Sequence, residues 1–353
     1  MAFHRAIIRQ QKTLLSLMTG LLFLSISLSL PAQAQEGDLR LTTSPLPINL
    51  ITEPGKTIQT PLRIQNQGTR GETLKIDLMK FKAYGQEGAP LLLDREEGDT
   101  FLDWVRFSED TFTVAPNEWK TITATFTVPE SAAFGYYYAL VFSRADENVA
   151  VKAGQTALTG GTAILVLLEA KVPNAKREVT VTNFEVSRKW YEFLPATFTV
   201  NLKNTGSVHI APTGNLFIGR EGEKEIASIK INQEKGNVLP DSGRTFAMHW
   251  DDGFLRYIDK TEDGKVVHDE DGNIEKVLDW NWKDASKLRF GKYQAKLLLV
   301  YDDGKRDIPL EGVVEFWVVP WRLVLFGIAV PVVPTLLMYF IMKYRMRRMM
   351  RKG

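Results

Sequence analysis

Residues 126–142 read FTVPESAAFGYYYALVF, and residues 289–301 read RFGKYQAKLLLVY. Both hold the string Phe-Gly-x-Tyr-x-Ala. A string that recurs within one chain marks shared scaffold before it marks a site, so the three consecutive tyrosines are read first as strand. Side chains on a strand alternate between its two faces. Tyr136 and Tyr138 therefore share one face and Tyr137 takes the other. Matching the two strings pairs Tyr137 with Tyr293 and Ala139 with Ala295, which assigns these residues to an inward face beside a turn that uses Gly135 and Gly291. Tyr136 and Tyr138 fall opposite Lys292 and Gln294. They are expected to face outward, free to touch a partner; cover for a neighbouring loop or for the domain interface is the alternative.

Working outward, each string closes a longer repeat. LRIQNQG (62–68) leads to APNEWKTITATF (115–126) in the first copy, and VNLKNTG (200–206) leads to LPDSGRTFAMHW (239–250) in the second. Each copy has a strand ending in Asn-x-Gly, then a Pro-containing polar turn, then a basic residue and Thr opening another strand. From Asn66 to Phe134 is 68 residues and from Asn204 to Phe290 is 86, so the second copy carries an insertion, placed near 251–280. Period-two runs such as TIQTPLRIQNQG and TLKIDLMKF, punctuated by Gly, Pro and Asn, predict half-buried antiparallel strands of a sandwich. The fold class expected is all-β: two tandem immunoglobulin-like β-sandwiches, residues 35–172 and 173–320, followed by a single C-terminal transmembrane α-helix.

The ends of the chain set the expected topology. Residues 1–13 carry Arg5, Arg9 and Lys12, residues 14–30 are apolar, and Ala32-Gln33-Ala34 has the small-x-small form of a cleavage site. This reads as a secretory signal over 1–34. Residues 323–342 hold no charge, enough to cross a hydrocarbon core of about 30 Å, and KYRMRRMMRKG (343–353) follows with six Lys/Arg and no acid. The expected order is a span at 321–342 and a basic cytoplasmic tail at 343–353, with the rest extracytoplasmic. No LPxTG-like pentapeptide precedes Trp321.

The net charge of +2 hides an asymmetry. All 42 acids lie within 35–320, whereas three of the 44 Lys/Arg lie in the leader and seven follow Trp321, leaving 35–320 net acidic by eight. Nucleic acid and anionic surfaces are therefore not expected partners by bulk charge. The chain has no Cys, which points away from a disulfide-stapled exported module and towards a bacterial envelope protein.

Chemistry-bearing residues are sparse. No GxSxG or HExxH occurs, and beyond the leader the histidines are His209, His249 and His268. No enzymatic activity, cofactor or metal is expected. His209 is read as a surface or turn residue. In the insertion, Asp263-Gly264 and Asp271-Gly272 predict hairpin turns. The spacing before Gly272 does not fit an EF-type loop, although Asp269, Asp271 and Asn273 could form a looser oxygen site. Trp280 and Trp282, at i and i+2 of a strand, share a face and are candidate ligand-binding residues together with Tyr136 and Tyr138. Cover for the sandwich core is the alternative, and Trp104 is ambiguous in the same way.

The stretch VRFSEDTFTVAPNEWKTITATFTVPESAAFGYYYALVF followed by TAILVLLEAKV resembles the peptidoglycan-binding domain of WxL-interacting proteins. The likeness covers roughly residues 40–172 in pattern. It implies a bacterial surface protein with two immunoglobulin-like domains, a membrane helix and a basic tail. In that family the first domain is associated with cell wall and the second with a host or protein ligand. The insertion at 251–280 departs from the family pattern. The function expected is a membrane-anchored binding protein holding peptidoglycan, another wall polymer or a surface protein. A structural spacer or a subunit of a multi-protein envelope complex is the alternative, from which mild detergent should release a complex rather than a monomer.

Overall fold

A computed structural model describes residues 39–146 and 160–350. The expected signal at 1–34 lies outside the described residues. The first ten strands are β1 (Leu41–Ser44), β2 (Ile48–Thr52), β3 (Thr57–Asn66), β4 (Glu72–Tyr84), β5 (Ala89–Leu93), β6 (Val105–Phe107), β7 (Thr111–Val114), β8 (Trp119–Thr127), β9 (Phe134–Arg144) and β10 (Gly161–Ala170). They form a sheet in the order β1-β3-β8-β6 and a second in the order β2-β10-β9-β4-β5, with β7 also on β4. Alternating residues of β3 and β8 (Leu62, Ile64, Ile122, Ala124, Phe126) meet Tyr138, Leu140, Phe142, Ile164 and Val166 of the other sheet in one dry core.

The next strands are β11 (Val179–Val186), β12 (Trp190–Tyr191), β13 (Ala196–Asn204), β14 (Thr213–Gly219), β15 (Glu225–Ile231) and β16 (Gly243–Trp250). The short β17 (Leu255–Asp259), β18 (Thr261–Glu262), β19 (Lys265–Val266) and β20 (Lys276–Trp280) lead to the long β21 (Gly291–Asp302) and β22 (Asp307–Val318). Sheets β11-β13-β16 and β12-β22-β21-β14-β15 enclose a second core built on Phe198, Val200, Leu216, Trp250, Tyr293 and Phe316. The pairs β17-β20 and β18-β19 form the insertion. Its first hairpin turns at Asp263-Gly264 as expected, and at Asp271-Gly272 Gly272 adopts φ +81° in the second. The chain then enters one helix, Trp321–Met350, which takes in most of the basic tail. Its stretch Trp321–Arg347 is long and apolar enough to cross a membrane.

Both copies of the repeat are built by the same bonds. Asn66 and Asn204 are fully buried. Asn66 Nδ2 donates to the carbonyls of Arg70 (2.7 Å) and Val114 (3.1 Å), and its Oδ1 accepts from Gly68 N–H (2.8 Å). Asn204 Nδ2 donates to Val208 and Val238 (both 2.8 Å), and its Oδ1 accepts from Gly206 N–H (2.8 Å). The Pro turns also correspond. Glu118 N–H closes on Ala115 O and Ser242 N–H on Leu239 O, with Asn117 and Asp241 at φ 60° and 55°.

The Phe-Gly-x-Tyr-x-Ala strings do not correspond in the way their letters suggest. The positive-φ residue that opens each strand is Phe134 (φ 69°) in β9 but Gly291 (φ 111°) in β21. Two residues later stand Tyr136 and Tyr293. Tyr136 Oη accepts from Ala133 N–H, and Tyr293 Oη accepts from Phe290 N–H, each at 3.1 Å and three residues upstream. The structural partner of Tyr293 is thus Tyr136, and the copies are offset by one residue. A one-residue offset sends every side chain to the opposite face. Tyr136→Phe and Tyr293→Phe should each cost about 1 kcal/mol, the value of one lost hydrogen bond. Urea unfolding midpoints of the purified chain would read this.

Candidate binding surfaces

The offset overturns the outward placement of Tyr136 and Tyr138. Tyr138 has no exposed surface; its hydroxyl donates to Phe101 O (3.3 Å) and its ring packs on Phe101 and Phe126. Burial raises its pKa. Tyr136 is half-buried, with its ring centroid 4.6 Å from Trp104 and 5.6 Å from Phe101. Trp104 is accordingly part of the core wall. Tyr138 is thus closed to a partner, and Tyr136 is held against Trp104 and Phe101.

Tyr137 points the other way, against the second sandwich. It meets Phe81 at 5.9 Å and His209 at 5.8 Å, beside a cluster in which Leu239 packs on Phe81, Leu92, Ala139, Val141 and Leu167. Gly135 is required here by contact, because a Cβ would run into the Tyr137 hydroxyl. His209 is not on the surface as expected: it is 8 % exposed, and its Nδ1 finds no hydrogen-bond partner among the described residues. Burial first, and then the Arg177 cation, pull its pKa down to about 4, so it is neutral near pH 7. Arg177 itself pairs with the buried Glu169 at the end of β10, tying the two sandwiches together. Thr245 N–H donates to Gln86 O (2.6 Å), and Asn237 to Asn49 Oδ1 (3.1 Å), across the same junction.

Beside this junction a half-open cleft of about 700 Å³ runs between the sandwiches. Its apolar wall includes Phe81, Pro90, Leu165 and Leu167 from the first and Leu239 and Phe246 from the second. Arg244 is its cation. Its Nη1 donates to Asn237 O (2.9 Å), its guanidinium sits 5.4 Å from the Phe246 ring, and Glu234 lines the same cleft. Burial lowers its pKa, against the opposing charge of Glu234. The apolar groove at the junction thus holds two charges of opposite sign, and an apolar pocket with a few convergent polar groups is the usual form of a ligand site. It was not legible in the sequence, because residues far apart in the chain build it.

Trp280 and Trp282 are exposed, at 48 % and 71 %, rather than covering the core. Their rings stack at 6.0 Å and 21°, and Phe254 meets both edge-on at 5.6 and 5.2 Å. They do not share a strand: β20 ends at Trp280, and Trp282 opens a 3-10 turn, Trp282–Asp284, closed by Asn281 Nδ2 donating to Asp284 Oδ2 (2.8 Å). At the acidic tip, the Asp269 carboxylate accepts from the N–H groups of Asp271 (3.0 Å) and Asn273 (2.8 Å), so it is engaged by its own loop. Among the described residues no group of three or more His, Cys, Asp or Glu is placed to hold a metal ion.

No family model and no curated protein matches the chain. Among solved structures it is similar to a class 5 fimbriae chaperone, CfaA, at 10 % identity and TM-score 0.35, covering 78 % of this chain and 99 % of that one. It is also similar to a chaperone–tip adhesion subunit pre-assembly complex from archaic Csu pili of Acinetobacter baumannii, at 14 % identity and TM-score 0.33, with coverages of 77 % and 97 %. A third is a PapD-like domain of human CEP192, at 13 % identity and TM-score 0.25, with coverages of 38 % and 87 %. Scores of this size carry no argument about this chain, whose fold rests on its own sheets and cores.

Proposed function

We infer that the chain is a membrane-anchored envelope protein that binds rather than catalyses. In this reading two tandem immunoglobulin-like domains, 35–172 and 173–320, stand outside the membrane on the helix, with the basic residues of 343–353 on the cytoplasmic side. The observation that carries it is the cleft of about 700 Å³ with Arg244 as a half-buried cation on its wall. Apolar walls, the Arg244 guanidinium and the Glu234 carboxylate that also lines the cleft suit an extended peptide-like chain bearing both a carboxylate and an amine. Peptidoglycan supplies this in its stem peptides, and a surface protein supplies it in an exposed segment. The resemblance to WxL-interacting proteins favours the wall polymer.

The test is co-sedimentation of the detergent-solubilised chain with purified peptidoglycan sacculi at low and moderate salt. Saturable pelleting is expected, with affinity falling at least about tenfold in Arg244→Glu, since one charge-assisted bond is worth about 1.5–3 kcal/mol. Absence of pelleting at either salt would remove the wall polymer and leave a protein partner, to be sought by cross-linking in native membranes.

A further inference from the structure

The insertion leaves the second sandwich at the end nearest the helix. In β22, Val318 pairs with Gly291 of β21, and in β16 Trp250 pairs with Ala196 of β13, so these residues mark one end of the sandwich. Residues 251–290 therefore all emerge there. Two residues, Val319 and Pro320, separate Val318 from Trp321, which is three steps of the chain and a reach of at most about 10 Å. That distance is comparable with the polar layer that flanks a hydrocarbon core, roughly 5–8 Å on each side.

The register shows which face of the insertion turns towards the helix. Leu255 pairs with Trp280 and Tyr257 with Leu278, and opposed residues of an antiparallel pair share a face, as do alternate residues along each strand. Tyr257, on the face of Trp280, donates its hydroxyl to Glu192 Oε2 (3.2 Å), and Arg322, the second residue of the helix, lies 3.4 Å from Glu192 Oε1. The Trp280 face is thus the one beside the start of the span. On the neighbouring side of the same end, Trp190 and Trp317 stack at 5.2 Å and 9°, and both are exposed. Among the described residues from β1 to β22, half of the exposed large apolar side chains lie within 251–290. A soluble surface does not concentrate apolar area in this way without a purpose. Tryptophan is the residue that favours the headgroup layer, where one edge of its ring is dry and the other wet.

We propose that Trp280 and Trp282, with Trp190 and Trp317, form an aromatic collar seated in the headgroup layer of the membrane that the helix spans. The collar fixes the tilt of the second sandwich on the bilayer, and with it the direction in which the cleft opens. The exposed cations Arg188, Lys189 and Lys283 flank the rings, as suits a phosphate layer; Asp279 and Asp284 are engaged by Arg256 and by Asn281 and Lys287. The proposal rests on the helix being a span.

The absence of cysteine makes the test direct. The full chain is reconstituted into vesicles of phosphatidylcholine and phosphatidylglycerol. A nitroxide is attached at Trp282→Cys, or at Lys283→Cys, which keeps both rings. Collision with oxygen, which partitions into lipid, is compared with collision with a water-soluble nickel chelate. Tyr84→Cys on the first sandwich serves as the aqueous reference and Phe326→Cys as the lipid one. The expected result is an oxygen-to-chelate ratio at 282 and 283 between the two references and several-fold above that at 84. Values at 282 and 283 equal to that at 84, with 326 in lipid, would overturn the collar and leave the span intact. An aqueous value at 326 would overturn both.

Discussion

Asn204→Ala is expected to destabilise the second sandwich by about 3–5 kcal/mol, and Asn66→Ala the first by a similar amount. Each asparagine is fully buried and makes three bonds, two given by its amide nitrogen and one received by its carbonyl oxygen. Alanine removes all three and leaves two carbonyls and one N–H without partners, where each orphaned group costs about 1–3 kcal/mol. The loss would not stay local. The Nδ2 bonds to Val238 O and Val114 O hold the residue that leads into each Pro turn, so each asparagine side chain helps to set the register of the following strand. Asn183→Ala, at an exposed position on β11, is the control and should move stability by no more than about 0.5 kcal/mol. Urea midpoints of the purified chain, read by tryptophan fluorescence, would compare the three. A shift in Asn204→Ala no larger than in Asn183→Ala would mean that the buried bonds contribute nothing.

The legible part of the fold is the part whose chemistry admits few residues. A buried turn that needs two donors and one acceptor on a short side chain calls for Asn, and a turn with φ near −60° and then a positive φ calls for Pro followed by Asn or Asp. Those letters therefore mark the same atoms in both copies. Phe-Gly-x-Tyr-x-Ala carries no such constraint. Which face a tyrosine takes depends on where the chain leaves the turn, and β9 leaves it one residue earlier than β21. The composition of β9 held a clue: FGYYYALVF lacks the alternation of Lys292, Gln294 and Lys296 in β21. An uninterrupted apolar run is what a strand covered on both faces requires. Here the core covers one face and Leu239 with its neighbours covers the other.

The candidate sites divide in the same way. Trp280 and Trp282 could be picked out as a pair, but whether they covered a core or faced outward depended on which end of the sandwich the insertion leaves. Arg244 gave no signal, since it occupies the place of Lys120 in the repeat and differs from it only in facing another sandwich. The buried His209 is explained likewise by the packing of Tyr137 across the junction.

Glu72→Ala should cost the first sandwich about 1.5–3 kcal/mol at neutral pH, because it removes the charge-assisted bonds that Arg144 gives to Glu72. Arg144 Nε and Nη2 reach Glu72 Oε2 and Oε1 at 2.8 and 3.1 Å, with side-chain exposures of only 9 % for Arg144 and 11 % for Glu72. The pair joins the start of β4 to the end of β9. The bond from Arg144 holds the Glu72 carboxyl below its ordinary pKa; burial opposes this, and the charges of Arg144 and Arg70 add to the lowering. A carboxylate whose pKa is depressed on folding stabilises the fold above its unfolded pKa, about 4.3. That contribution is lost as pH falls through the folded value. The gap between the parent chain and Glu72→Ala should therefore be widest near neutral pH and shrink below pH ~4. Measured at pH 7, a double-mutant cycle with Arg144→Met should give a coupling above about 1 kcal/mol. A gap that did not change with pH would assign the cost to lost packing at position 72 and not to the ion pair.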